Sequence, residues 1–164
     1  MRILGVDPGI ARTGFGVIDD GDPPRSLVYG VIETIPAQTM AERLLVLFDR
    51  LEQIIDDWRP DSVAVEELFF ARNVSTALVV GQARGVALLA VARRRLPLSE
   101  YKPAEIKQAV TGHGGADKEQ MQSMTAFLLG LSDLPRPDDA ADALAVALCH
   151  AQMWSFLQRV GGAE

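Results

Sequence analysis

Four carboxylates stand where a folded chain ordinarily puts apolar or small residues. Asp7 closes the apolar run 3–6, and Glu66 closes the run 63–65. Asp142 sits among Ala140, Ala141, Ala143, Leu144, Ala145, Val146, Ala147 and Leu148, a helical stretch with almost no polar face. A carboxylate buried there alone costs several kcal/mol, so it must be paired or bound to metal. Along the chain no cation offers itself, since Arg136 precedes this stretch and Arg159 follows it. Asp139 lies three residues before Asp142 and Asp138 lies four before it; both spacings share a helical face, so spacing does not choose between them. An all-oxygen donor set without His or Cys suits Mg²⁺ or Mn²⁺ rather than zinc. Such a cluster can hold two ions for in-line attack of water on a phosphodiester.

These residues need elements to bring them together. Residues 2–7 and 13–19 read as strands around a Pro8-Gly9 turn, and 26–34 reads as a third after the 21–24 turn, giving an antiparallel meander. An amphipathic helix follows over about 40–58, with Leu44, Leu47, Leu51, Ile54 and Ile55 on one face. Residues 62–66 read as a buried strand, and a long helix runs from about 75 to 95 with Ser75 or Thr76 available as its cap. A short strand after Pro97 leads to a helix opened by Pro103, which stops at the 111–115 loop. Asp117 with Gln120 has capping-box spacing for the next helix. The last helix spans about 138–157. The pattern predicts an α/β fold, a mixed five-stranded sheet with three meander strands plus parallel strands and helices on both faces. Asp7 and Glu66 then fall at C-terminal strand ends, the usual place for a site in an open α/β sheet. A single domain is expected over 1–157, with 158–164 as a short tail.

At 164 residues the chain has room for one domain burying roughly 70% of its unfolded surface. A formal net charge of −6 and a pI near 4.9 taken alone argue against a nucleic-acid partner. Carboxylates that hold divalent cations are neutralised in the working protein, however. The three lysines, Lys102, Lys107 and Lys118, also fall in one short segment. Arg72 and the Arg93-Arg94-Arg95 triplet add local positive charge. No secretory leader is expected from the residues after Met1. The most apolar stretch, 74–92, is interrupted by Ser75, Gln82 and Arg84 and is not expected to span a membrane. Cys149, the single cysteine, suits a reducing compartment. A cytoplasmic protein is expected.

Together the motifs resemble those of the RuvC-type Holliday-junction resolvases, within the ribonuclease H-like superfamily. Val6-Asp7-Pro8-Gly9 with Thr13-Gly14-Phe15-Gly16 resembles the opening motif. Glu66 to Arg72 (EELFFAR), the NVSTA run from Asn73 and GQARG at 81–85 resemble the second block. Lys107 in EIKQAV and Lys118 in GADKEQ match the two basic positions, and Asp139-Ala-Ala-Asp142 matches the closing acidic motif. The match spans nearly the whole chain in order. It implies a ribonuclease H-like sheet and a metal set of Asp7, Glu66, Asp139 and Asp142, selecting Asp139 over Asp138. It also implies two Mg²⁺ per site, with Mn²⁺ as a substitute, and Lys107 and Lys118 as catalytic cations. A homodimer would make paired symmetric nicks in four-way junction DNA and leave 5′-phosphate ends. Phe69, Arg72 and Asn73 would contact DNA, Phe69 at the junction centre. A branch-migration motor is a partner implied by the resemblance only. Asp138 is a departure, an extra carboxylate beside the motif.

The residues themselves add three expectations. Lys118 falls in the first turn of its helix, where the dipole disfavours a cation, which suggests a phosphate partner. Gly112, Gly114 and Gly115 could let backbone N–H groups approach DNA. The 75–95 helix is apolar nearly all round, so one face should meet the sheet and another a partner subunit. The main alternative is another ribonuclease H-like nuclease acting on RNA or duplex DNA. Actin-like and sugar-kinase phosphotransferases need a second related domain that this length does not hold. A non-enzymatic junction-binding module would not need the four carboxylates.

Overall fold

The protein is described by a computed structural model covering residues 1–67 and 74–161, the side chains of 74–75 and 156–161 excepted. Five strands, β1 (Arg2–Asp7), β2 (Arg12–Asp19), β3 (Arg25–Glu33), β4 (Ser62–Glu66) and β5 (Leu98–Tyr101), form one sheet in the order β3-β2-β1-β4-β5. β1, β2 and β3 pair antiparallel as the expected meander, while β4 and β5 join in parallel. The helices are α1 (Met40–Trp58), α2 (Val74–Arg93), α3 (Pro103–Thr111), α4 (Lys118–Leu128) and α5 (Asp138–Gly161).

Strand alternation divides the interior into two cores. Leu4, Val6, Val17, Val63 and Val65 point to α1 and α2, where they meet Leu47, Leu51, Ile54 and Ala87. Ile3, Ile18 and Ala64 point to the other face, against Ile106 of α3, Met121 of α4 and Leu144 and Leu148 of α5. By the same parity Asp7 follows Ile3 and Gly5, and Glu66 follows Ser62 and Ala64, onto the α5 face. β1 and β4 pair in parallel with Val6 opposite Val65, so one step further brings Asp7 beside Glu66.

α5 crosses that face in backbone contact with the sheet. A Cβ added at Gly5 would overlap the main-chain oxygen of Ala143 and lie 2.7 Å from the Ala147 nitrogen. One added at Gly14 would overlap the main-chain oxygen of Asp139. Glycine at these two positions therefore sets how closely the first turns of α5 approach the end of β1. The β1–β2 turn is tied by Thr13, fully buried, whose hydroxyl donates to the Gly9 carbonyl at 2.6 Å and accepts from Gly9 N–H at 3.2 Å.

Helix ends follow their chemistry. Thr39 and Glu42 form a reciprocal cap on α1, Asp117 and Gln120 form the expected one on α4, and Pro103 opens α3. Two ends differ from expectation. α2 is already helical at Val74, a residue before the expected start. α5 continues to Gly161 and not to about 157, because no helix breaker interrupts the sequence before the Gly161-Gly162 pair.

α2 is apolar yet mostly unburied over its described side chains. The window Thr76–Arg93 is long and apolar enough to cross a membrane, with mean hydropathy 1.3 and 22% of it buried. Its packed side is that of a globular helix: Ala83, Ala87, Ala90 and Val91 are buried against α1 and the sheet, and Arg84 pairs with Glu100 of β5. Its open side carries Leu78 and Leu89, 67% and 58% exposed, with Gln82 and Gly85 between them.

Candidate active site

Asp7 is the most buried member of the carboxylate group, and burial is the main reason its proton is held far above the usual carboxylate range. Its pKa is pushed up to about 8, with the charges of Glu66, Asp142 and Asp139 adding to the effect of burial. Burial also raises Glu66, opposed by a hydrogen bond from Asp7 and by the Lys107 charge. Asp142 is raised by burial and by Asp139 and Asp138, with Lys118 and Lys107 pulling the other way. Without a cation, then, Asp7 keeps a proton and donates it to Glu66, because four acidic groups converging on one spot cannot all ionise.

A cleft of about 230 Å³ opens onto this group. Glu66, Asp142, Lys107 and Lys118 form its polar walls, and Ile106 and Met121 contribute apolar surface. Asp7 and Asp139 are not on the cleft wall. The cations that the sequence around Asp142 does not offer thus come from other elements, Lys107 from α3 and Lys118 from α4. Among the described residues no three carboxylate, His or Cys groups are already drawn into a closed ion cage. The donor set nonetheless fits a hard divalent cation: it is all oxygen and self-repelling, and two of its members, Glu66 and Asp142, line an open cleft. In the absence of positive charge such groups hold apart or share protons.

Lys118 does not wait unpaired. Its Nζ lies 2.9 Å from Asp138 Oδ2, and that contact lifts Lys118 above its ordinary range. Within the fold, the carboxylate of Asp138 is therefore the partner of this charge at the helix start. Asp138, depressed by Lys118 and Gln122, points to these α4 side chains. Asp139 instead adds its charge to Asp7. Phe69, Phe70, Arg72 and Asn73 lie outside the described residues.

Sequence reasoning missed a buried polar group between α5 and the sheet. His150 of α5 lies 3.0 Å by Nε2 from Ser62 Oγ and 2.8 Å by Nδ1 from the Tyr101 hydroxyl, joining α5 to β4 and β5. Burial depresses the His150 pKa, which favours the neutral ring. The available signal was a histidine inside the most apolar helix, which requires polar partners. The Asp138–Gln122 contact was also missed; Lys118 and Gln122, four apart on α4, share the face that meets it.

The five-stranded mixed sheet, with carboxylates at adjacent strand ends and on the crossing helix, defines a ribonuclease H-like nuclease. A model of the family "Crossover junction endodeoxyribonuclease RuvC" matches residues 3–150. The protein of that name from Chloroflexus aggregans is 56% identical over 162 residues, covering 98% of this chain and 99% of its own. The structure of Thermus thermophilus RuvC in complex with Holliday junction substrate superposes with TM-score 0.89 at 40% identity, over 98% of this chain and 96% of that one. The yeast mitochondrial Holliday junction resolvase Ydc2, at 15% identity and TM-score 0.70, shares the fold. The chain belongs to the crossover junction endodeoxyribonuclease RuvC family, whose cleavage is metal-dependent.

Proposed function

We propose that this chain resolves four-way DNA junctions, with Asp7, Glu66, Asp139 and Asp142 holding two Mg²⁺ ions, Mn²⁺ being an effective substitute. The observation that carries the reading is the convergence of Asp7 and Glu66, neighbours on parallel strands, with the first turns of α5, at a cleft walled by two lysines. When bound, the cations activate water and neutralise the phosphate under attack. The carboxylates supply the negative charge that fixes them, and Asp7 gives up its shared proton on loading. Lys107 and Lys118 steady the charge that develops on the phosphate during cleavage. The Cβ-free contacts at Gly5 and Gly14 keep the α5 carboxylates in reach of the strand ends.

Two symmetric nicks need two oriented sites, and a homodimer supplies them. The open stripe of α2, Leu78 to Leu89, offers apolar surface for the second copy. Phe69, Arg72 and Asn73 are proposed DNA contacts on sequence resemblance, as is a branch-migration motor partner. The protein works on DNA in the cytoplasm.

The test is cleavage of a labelled four-way junction beside duplex DNA and single-stranded RNA, with and without Mg²⁺ or Mn²⁺. The reading requires paired cuts in the junction alone, only with metal, leaving 5′-phosphate ends. Preferred cleavage of RNA or plain duplex would replace it with another ribonuclease H-like activity.

A further inference from the structure

Asp138 stands outside the proposed metal set, yet both of its carboxylate oxygens are committed. Oδ2 accepts from Lys118 Nζ at 2.9 Å, and Oδ1 accepts from Gln122 Nε2 at 2.8 Å. Lys118 and Gln122 are one turn apart on one face of α4, so a single carboxylate bridges the start of α5 to the start of α4. Lys118 and Asp138 are both more than half exposed, and a pair of that kind adds little to stability. Its consequence is geometric. The lysine has a flexible four-carbon stem, and it sits at a helix start whose dipole repels it. Held by Asp138, the same side chain lines the cleft with Glu66, Lys107 and Asp142.

We infer that Asp138 is a positioning residue for strand cleavage: it holds Lys118 at the cleft wall, and Gln122 fixes the orientation of the carboxylate. The inference rests on the reading of Lys118 as the cation that steadies charge during cleavage. Asp138 also partly neutralises that lysine before DNA arrives. Removing its charge should therefore leave junction affinity equal or greater while slowing the chemistry, a split that loss of a simple DNA contact does not produce. Asp138 opens α5 as well, and a role confined to the helix end would lower stability independently of Lys118.

The experiment is single-turnover cleavage of pre-bound four-way junction in Mg²⁺, with affinity measured without divalent metal. The proteins compared are wild type, Asp138→Asn, Asp138→Glu, Lys118→Ala and the double variant Asp138→Asn/Lys118→Ala. Asp138→Asn should cleave about tenfold more slowly, as small misplacements of a catalytic group do, without losing affinity. Asp138→Glu should recover most of that loss, and the double variant should be no slower than Lys118→Ala. If Lys118→Ala is slow but Asp138→Asn matches or exceeds wild type, or the two effects multiply, the positioning role is overturned while the reading of Lys118 stands. If Lys118→Ala itself cleaves at the wild-type rate, both fall.

Discussion

Gly14 of β2 lies directly beneath Asp139 of α5, so close that a Cβ on Gly14 would overlap the Asp139 main-chain oxygen. The contact joins the strand that follows Asp7 to the helix turn carrying two of the proposed metal ligands. Gly14→Ala should push that turn outward, lowering stability by about 1–3 kcal/mol as overpacking does. Junction cleavage should fall more than junction binding. Thermal melts and single-turnover assays check this, and a variant that melts and cuts like wild type would mean that α5 is placed by other contacts.

Asp7 links the site to stability through pH. In the unfolded chain its proton leaves near the ordinary value of 3.8, whereas in the metal-free fold it stays bound up to about 8. Between these values the folded state holds more protons, so this group makes stability fall as pH rises from 4 to 8. The shift sets a ceiling of roughly 6 kcal/mol on the penalty above pH 8. Asp7→Asn removes the penalty and should melt higher than wild type at pH 8 in chelator, with the difference shrinking towards pH 4. A variant that melts lower at pH 8 would show that neither burial nor its acidic neighbours hold the Asp7 proton.

Lys107→Ala and Lys118→Ala should each slow cleavage by about 10²–10³, the usual loss when a group stabilising developing charge is removed. Affinity should change much less. Tenfold weaker binding with unchanged cleavage of bound junction would make either lysine a DNA contact only.

Leu89, exposed on α2, lies on the proposed dimer surface. Leu89→Glu should shift the protein to monomer in sedimentation at micromolar concentration and convert paired cuts into single nicks. An unaffected dimer would place the interface elsewhere.

Much of this was legible in the sequence because strand parity and apolar context are local. Asp7 and Glu66 stood out by ending apolar runs, and the Asp117–Gln120 cap of α4 followed from spacing alone. Helical spacing did not choose between Asp138 and Asp139, since i−4 and i−3 both share a face with Asp142; the resemblance alone selected Asp139. What spacing and resemblance did not give is the tertiary placement of the Asp138 carboxylate against Lys118 and Gln122, while the Asp139 charge acts on Asp7. The same limit hid the partners of His150 and the cations facing Asp142, which come from elements distant in the chain. The place of Phe69 at the junction centre is an expectation from the resemblance, and it lies outside the described residues.

The central claim is that these carboxylates hold the ions that cut DNA, and single-turnover cleavage of a labelled four-way junction by Asp142→Asn across a Mg²⁺ titration tests it most directly. The account predicts that the variant binds the junction as wild type does, because phosphate contacts carry most of the affinity. It should leave the junction uncut at every Mg²⁺ concentration at which wild type cleaves. Wild-type-like cleavage by Asp142→Asn would contradict the account.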